Sequence, residues 1–385
     1  ALMSRILQGW TGLSSRSRFF FRRLQERLWV KPLMICLLSI AAAFIAGLAD
    51  HFEVEYIPKV SRESVETLLS VLSASMLVIA VFAVGAMLAA YASASNAATP
   101  RTFPVVVSDD VSQNALSTFI GSFIFSIIAQ IALMNGYYEE QGRFALFILT
   151  TLVFSVVILG FVRWVDRIAR LGRLGSTIDK VEAIEISSLK QRAKHPTMRA
   201  CKAGTFEAGS FSKEKAIYAD RVGYVQHIDI ARLQRHAEQN DLYVLIAAMP
   251  GSFVSPGKAL VYIKGEVDGD SVVKETFTLG GDRTFDEDPR FGLVVLAEIA
   301  SRALSPAVND PGTAIDIIGT LLRMFVTWTE NYEEVDEESV AFDRVAMPEL
   351  SASDMMDDAF NAIARDGAGL LEVAVRLQCH EEEVV

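Results

Sequence analysis

Residues 67–92 read TLLSVLSASMLVIAVFAVGAMLAAYA, a run without a single Asp, Glu, Lys, Arg or His. The hydrocarbon core of a bilayer takes about 20 residues of helix, and only a helix or a closed barrel satisfies its own backbone where water is absent. The stretch therefore predicts a membrane-spanning helix. Working outward, three further windows at 33–49, 115–135 and 144–162 are equally apolar and uncharged. The remainder of the 385 residues is too polar to follow them into lipid. The expected fold is an α-helical membrane protein with four transmembrane helices and a cytoplasmic α+β domain.

Charge gives the orientation. The chain carries a net charge of −11, but unevenly: residues 1–32 hold seven Lys/Arg against one acid, and residues 181–385 hold twenty against thirty-five. Basic residues flank the first span on its N-terminal side and the fourth on its C-terminal side, while the loops at 50–66 and 136–143 are acidic. By the excess of Lys and Arg on the cytoplasmic side, both termini are expected in the cytoplasm of a bacterial inner membrane. Ahead of the first span, SRSRFFFRRLQERLWVKP interleaves arginines with aromatic residues, as an interfacial helix against lipid headgroups does. The acidic remainder excludes a nucleic-acid partner, whose phosphates demand basic surface.

The spans lack the ionisable groups with which coupled transporters hold protons and ions. What they offer is small and hydroxyl residues at helical spacing. Gly85, Ala89 and Ser93 form one ridge beside Ala86 and Ala90, a surface on which another helix packs closely. Asn114, Thr118, Ser122, Ser126 and Gln130 form a polar stripe at i, i+4 down the third span. Such a stripe either hydrogen-bonds between helices or lines a hydrated path. Four helices from one chain enclose little water, so a path requires several subunits. The second span has no breaker between Ser61 and Thr99 and should run beyond the bilayer, and the fourth should continue as helix to Lys180.

From 181 to 280 the pattern changes to short β-branched runs divided by Gly and Pro. Strands are expected at 216–218, 222–225, 243–248 and 260–263, with a helix at 230–238. Their succession is similar to the swapped-hairpin modules of biotinyl and lipoyl carriers, although Lys258 lacks the setting of a modified lysine. Three dispersed cysteines and five scattered histidines give no metal-binding spacing. No cofactor is implied. No paired nucleophile and base, P-loop or nucleophile elbow appears, so the expectation is a protein that is not an enzyme.

Residues 281–385 read as a helical subdomain with an acidic tail. Within it, RALSPAVNDPGTAID (302–316) breaks a helical run, and Ser305-Pro306 and Asp310-Pro311 each resemble a cap followed by proline at the first helical position. Asn309 suits an unusual backbone angle there. Arg302, beside this helix start, either pairs with Asp310 or joins Arg283 in a site for a small anionic ligand. A last amphipathic helix is expected at 359–377. The basic aromatic lead, the four spans, GDRTFDEDPRFG (281–292) and ASRALSPAVNDPGTA (300–314) together resemble a bacterial family of predicted inner-membrane proteins, domain of unknown function 2254. The resemblance implies the four-span layout and the bacterial inner membrane, and it supplies no activity. The functional expectation is a homo-oligomeric channel with a cytoplasmic sensing domain, bathed by membrane lipids. The alternative is a membrane-anchored binding or scaffold protein that transports nothing.

Overall fold

A computed structural model gives the architecture for residues 29–51, 58–205, 215–266, 269–335 and 339–384. Residues 1–28 lie outside this set, and with them the expected interfacial helix. The chain divides into two compact units, Phe21–Thr177 and Ile178–Val385.

The first unit holds four long helices, α1 (Val30–Gly47), α2 (Arg62–Ala97), α4 (Asp110–Met134) and α5 (Glu140–Leu171), with the short α3 (Phe103–Val107) in the turn between α2 and α4. All four are long and apolar enough to cross a membrane. Helix α2 starts where the Ser61 hydroxyl accepts the Ser64 N–H at 3.1 Å, and it runs for 36 residues until Thr99-Pro100 stops it. At about 1.5 Å per residue that is roughly 54 Å, well beyond the ~30 Å of hydrocarbon. Helix α5 does not continue to Lys180. It ends at Gly172, the N–H of Arg173 turns back to the Arg170 carbonyl at 3.2 Å, and α6 (Leu174–Lys194) begins afresh.

Close packing explains several positions. A Cβ at Gly121 would collide with Ile35, so glycine lets α1 and α4 approach. Trp164, fully buried, meets Phe82, Phe119 and Phe161 in a cluster between α2, α4 and α5. At one end of the bundle Asp50 accepts the N–H groups of Glu139 and Gly142 at 3.0 and 2.6 Å, capping α5, whose own N-cap side chain does not. At the other end Asp109 caps α4 through the Ser112 N–H at 3.1 Å and receives Arg167 Nε and Nη2 at 2.9 and 2.6 Å. Lys31 pairs with Asp110 beside it.

In the second unit, β1 (Ala200–Lys202), β2 (Ala216–Tyr218), β4 (Tyr243–Ile246), β6 (Ala259–Lys264) and β8 (Phe342–Met347) form one sheet in the order β1-β8-β4-β6-β2. A smaller sheet has the order β5-β3-β7, from β3 (Gly223–Ile228), β5 (Phe253–Val254) and β7 (Phe277–Gly280). Strand β8 runs parallel to both β1 and β4. The strand positions expected from alternation are therefore present, but their connectivity is a mixed sheet with a late strand inserted, not a hairpin pair closed on itself. Helix α7 (Ile230–Gln239), capped by Asp229, packs Leu233 and Ala237 into the same apolar core as Val244, Val261 and Val345.

A short α8 (Ser271–Thr276) leads into β7, and four helices complete the unit: α9 (Phe291–Ala303), α10 (Pro311–Asn331), α11 (Ala352–Gly367) and α12 (Leu371–Val384). The single helix expected at 359–377 is thus two. A tight turn breaks it, with the Leu370 N–H bonded to the Gly367 carbonyl at 2.9 Å.

Candidate functional site

The polar stripe of the third span resolves into unlike parts. Ser122 and Ser126 are 6% and 0% exposed inside a single protomer, Thr118 and Gln130 are half-buried, and Asn114 is exposed. The hydroxyls serve their own helix: Ser126 donates to the Ser122 carbonyl at 2.7 Å, and Thr118 to the Asn114 carbonyl at 2.8 Å. In the second span the two small-residue ridges part company. Ala90 is buried and Ala86 half-buried against the bundle, whereas Gly85, Ala89 and Ser93 are exposed.

The anion site expected at Arg283, Arg302, Asn309 and Asp310 is not assembled. Asp310 is a helix cap, accepting the Thr313 N–H at 3.1 Å and its hydroxyl at 2.6 Å, which hold its carboxyl below the usual aspartate range. Asn309 has the expected left-handed backbone, φ 50°. Ser305 is not a second helix start. Its hydroxyl donates to the Arg302 carbonyl at 2.7 Å, closing the end of α9. Arg302 is exposed, and the groups that act on Asp310 are Thr313 and Gly312, not Arg302. Arg283 is spent on Asp288, with Nε at 2.7 Å and Nη2 at 3.0 Å, and its guanidinium lies over the Phe291 ring.

That last contact leads to a cluster that spacing did not predict. Along α6 the buried face recurs at Val181, Glu185, Leu189 and Arg192, the i, i+4 rows of a helix stripe. Two of those four positions carry charge. Glu185 is wholly buried, one carboxylate oxygen accepting the Gly292 N–H at 3.0 Å and the other, Oε1, without a hydrogen bond. Burial pushes its pKa well above the ordinary glutamate range and the nearby Asp288 charge pushes the same way, outweighing the Gly292 N–H and Arg283. Both effects favour the protonated, neutral form of the carboxyl. A Cβ at Gly292 would run into this carboxyl, and one at Gly251 into Asp288, so both glycines are required by close approach.

Two turns further on, Arg192 is 6% exposed. Its Nη2 donates to the Glu287 carbonyl at 2.8 Å and touches the Met198 sulfur at 3.3 Å. Burial lowers its pKa, against the pull of Glu287 and Asp288. The Glu287 carboxylate itself is held by His227 Nδ1 at 2.6 Å. Arg290 reaches Asp358 at 2.6 Å and Asp354 at 3.0 Å, fastening α11 to the same segment. GDRTFDEDPRFG is thus gripped by α6, by β3 through His227, by the 251 turn and by α11. Among the described residues no group of three His, Cys, Asp or Glu is placed to hold a metal ion.

A family model for "Predicted membrane protein (DUF2254)" matches residues 25–380. The chain belongs to the DUF2254 family. The match takes in all four apolar helices and the charge cluster, so the layout of a membrane protein with a sheet-containing second unit is that of a DUF2254 member. Over 110 residues the chain is 31% identical to "Uncharacterized protein MT1328" of Mycobacterium tuberculosis and to "Uncharacterized protein Mb1321c" of Mycobacterium bovis, covering 26% of this chain and 21% of each relative. The chain thus spans about a fifth of the length of these curated relatives. No solved structure matches it.

Proposed function

We propose that the protein is a membrane-anchored binding protein whose four helices hold it in a bacterial inner membrane, both termini in the cytoplasm, while its α/β unit captures a ligand or partner. The observation that carries this reading is the burial of Ser122 and Ser126 within one protomer, with the Ser126 hydroxyl turned onto its own helix. A permeation path lined by this stripe needs its polar groups in contact with water. Here the two central rungs of the stripe face neighbouring helices of the same chain, so the stripe supports packing and not flow. The basic flanks of the first and last spans support the orientation.

Two further parts belong to the same reading. The exposed ridge of Gly85, Ala89 and Ser93 offers a second copy of the chain a surface for close helix contact, with lipid against exposed Leu77, Val78 and Val81. The reading assigns the protein no reaction: its buried carboxyl and guanidinium are positioned by other protein groups, as in a binding or switching element.

The test is reconstitution of the full-length protein in liposomes, with ion conductance and solute efflux recorded. Traces matching protein-free liposomes are expected. A conductance that disappears in Ser126→Leu, yet persists when lipid-facing Leu152 is replaced by Ala, would overturn the proposal in favour of a channel.

A further inference from the structure

The flank of α6 that carries Arg192 opens on a cleft of about 170 Å3, lined by Ser188, Gln191, Arg192, His195, Arg199 and Glu287 among others. A guanidinium removed from water normally faces a carboxylate, because its desolvation is otherwise uncompensated. Among the described residues Arg192 makes no direct ion pair: its hydrogen bonds go to a backbone carbonyl and a thioether, and the Glu287 and Asp288 carboxylates act on it only through their charge. Arg199 in the lining is exposed and among the described residues its side chain makes no ion pair or hydrogen bond, while its carbonyl receives the N–H groups of Ala341 and Phe342. The carboxylates at the cleft are already engaged, Glu287 by His227 and Asp286 by an interaction of its own. Among the described residues it is the two guanidinium groups of the lining that lack a direct carboxylate partner.

The backbone adds an independent sign. Met198 and Arg199 are consecutive non-glycine residues in the left-handed region, at φ 52° and 68°. Strain of this kind is retained where surrounding structure enforces it, and it gathers at ligand clamps. Its effect in this turn is to bring Arg199 to the mouth of the cleft, across from the end of α6.

Building on the reading of the α/β unit as the binding part, we propose that this cleft takes an oxyanion, the phosphate or carboxylate group of a small ligand. Arg192 is the anchor and Arg199 the second contact. The planar fork of a guanidinium matches two oxygens of either group. Ser188 and Gln191, one turn and one residue before Arg192, supply neutral donors on the same wall. The volume admits one such group with a short substituent, and Asp286 and Glu287 in the same lining oppose a polyphosphate.

The experiment is calorimetric titration of the full-length protein in detergent with inorganic phosphate, and separately with acetate, against chloride at equal ionic strength. Saturable binding of phosphate, of acetate or of both is expected, and the comparison identifies which oxyanion the site prefers. Arg192→Gln should weaken binding roughly tenfold or more, the scale of a lost charge-assisted pair. Arg199→Glu, at an exposed position that leaves the fold intact, should weaken it as well, so the proposal stays testable should the buried variant fail to fold. No heat beyond chloride up to about 20 mM of either anion, or unchanged affinity in Arg199→Glu, would overturn it. Silent liposomes without anion binding would remove this site alone, whereas conducting liposomes with anion binding would remove the anchoring proposal alone.

Discussion

Replacing Glu185 by Gln tests whether its buried carboxyl is neutral. The folded protein holds this group well above its ordinary value of 4.5, because burial and Asp288 both disfavour the charged form. Between that ordinary value and the raised one, the native state keeps a proton that the unfolded chain has released. Unfolding then releases a proton, so stability falls as pH rises, by about 1.4 kcal/mol per unit, and levels off above the folded pKa. For a unit of 150–250 residues each kcal/mol corresponds to roughly 2–4 °C in Tm, so the slope is roughly 3–6 °C per pH unit. Glu185→Gln keeps the shape and the neutral charge of the protonated acid while removing its titration. Its carboxamide oxygen can still accept the Gly292 N–H. Thermal unfolding of both proteins in detergent at pH 5, 6, 7 and 8 isolates the term as the difference between two curves, because every other titrating group is common to both. The variant's advantage over the native protein should be smallest at pH 5 and grow as pH rises until the folded pKa is passed. Parallel curves would refute the reasoning and mean that Glu185 is ionised in the fold, its charge offset by Arg283.

Asp310→Ala removes the cap of α10 and should lower stability by about 1 kcal/mol, measured as a fall in the thermal midpoint, with Asp310→Asn restoring most of it. Gly142→Ala brings a methyl group against the Asp50 carboxylate that caps α5 and should reduce the yield of monodisperse protein in detergent, whereas Gly85→Ala, whose surroundings are open in the protomer, should not. Asp109→Ala deprives α4 of its cap and Arg167 of its carboxylate, a loss of roughly 2–4 kcal/mol that should appear as increased protease sensitivity in the segment between α2 and α4.

The membrane half was legible because composition alone decides it: an uncharged run of sufficient length has one solution in lipid, and the Ser61 and Thr99-Pro100 signals bracket α2 almost to the residue. Asp310-Pro311 was legible for the same local reason, since cap and proline act within one turn. Gly172 carries little weight as a stop in the sequence, because a glycine in an arginine-rich stretch reads equally as tolerated helix. The charge cluster escaped for a different cause. Helix α6 mixes Asp179, Glu182, Glu185 and Lys190 in the manner of a solvated surface, and only the approach of Gly292, 107 residues away, shows which acid is interior. Arg283 misled in the opposite sense: its basic charge pointed to a free anion, while Asp288, five residues on, answers it. Strand β8 sits in an acidic region and its partners β1 and β4 lie far back in the chain, so nothing local distinguishes it from the loops around it.

The place of β8 bears on how the polypeptide emerges from the ribosome. The strands on either side of it, β1 and β4, leave the exit tunnel long before residues 342–347 are translated. At synthesis rates of about 5–20 residues per second the wait after β6 is roughly 4–16 s. During that interval two hydrogen-bonding edges stand open, the condition under which nascent chains pair with one another. A gene truncated ahead of codon 342 would keep the four apolar helices but lose α11, α12 and the strand that joins β1 to β4, and it should yield inclusion bodies or proteolysis products in place of a smaller folded protein.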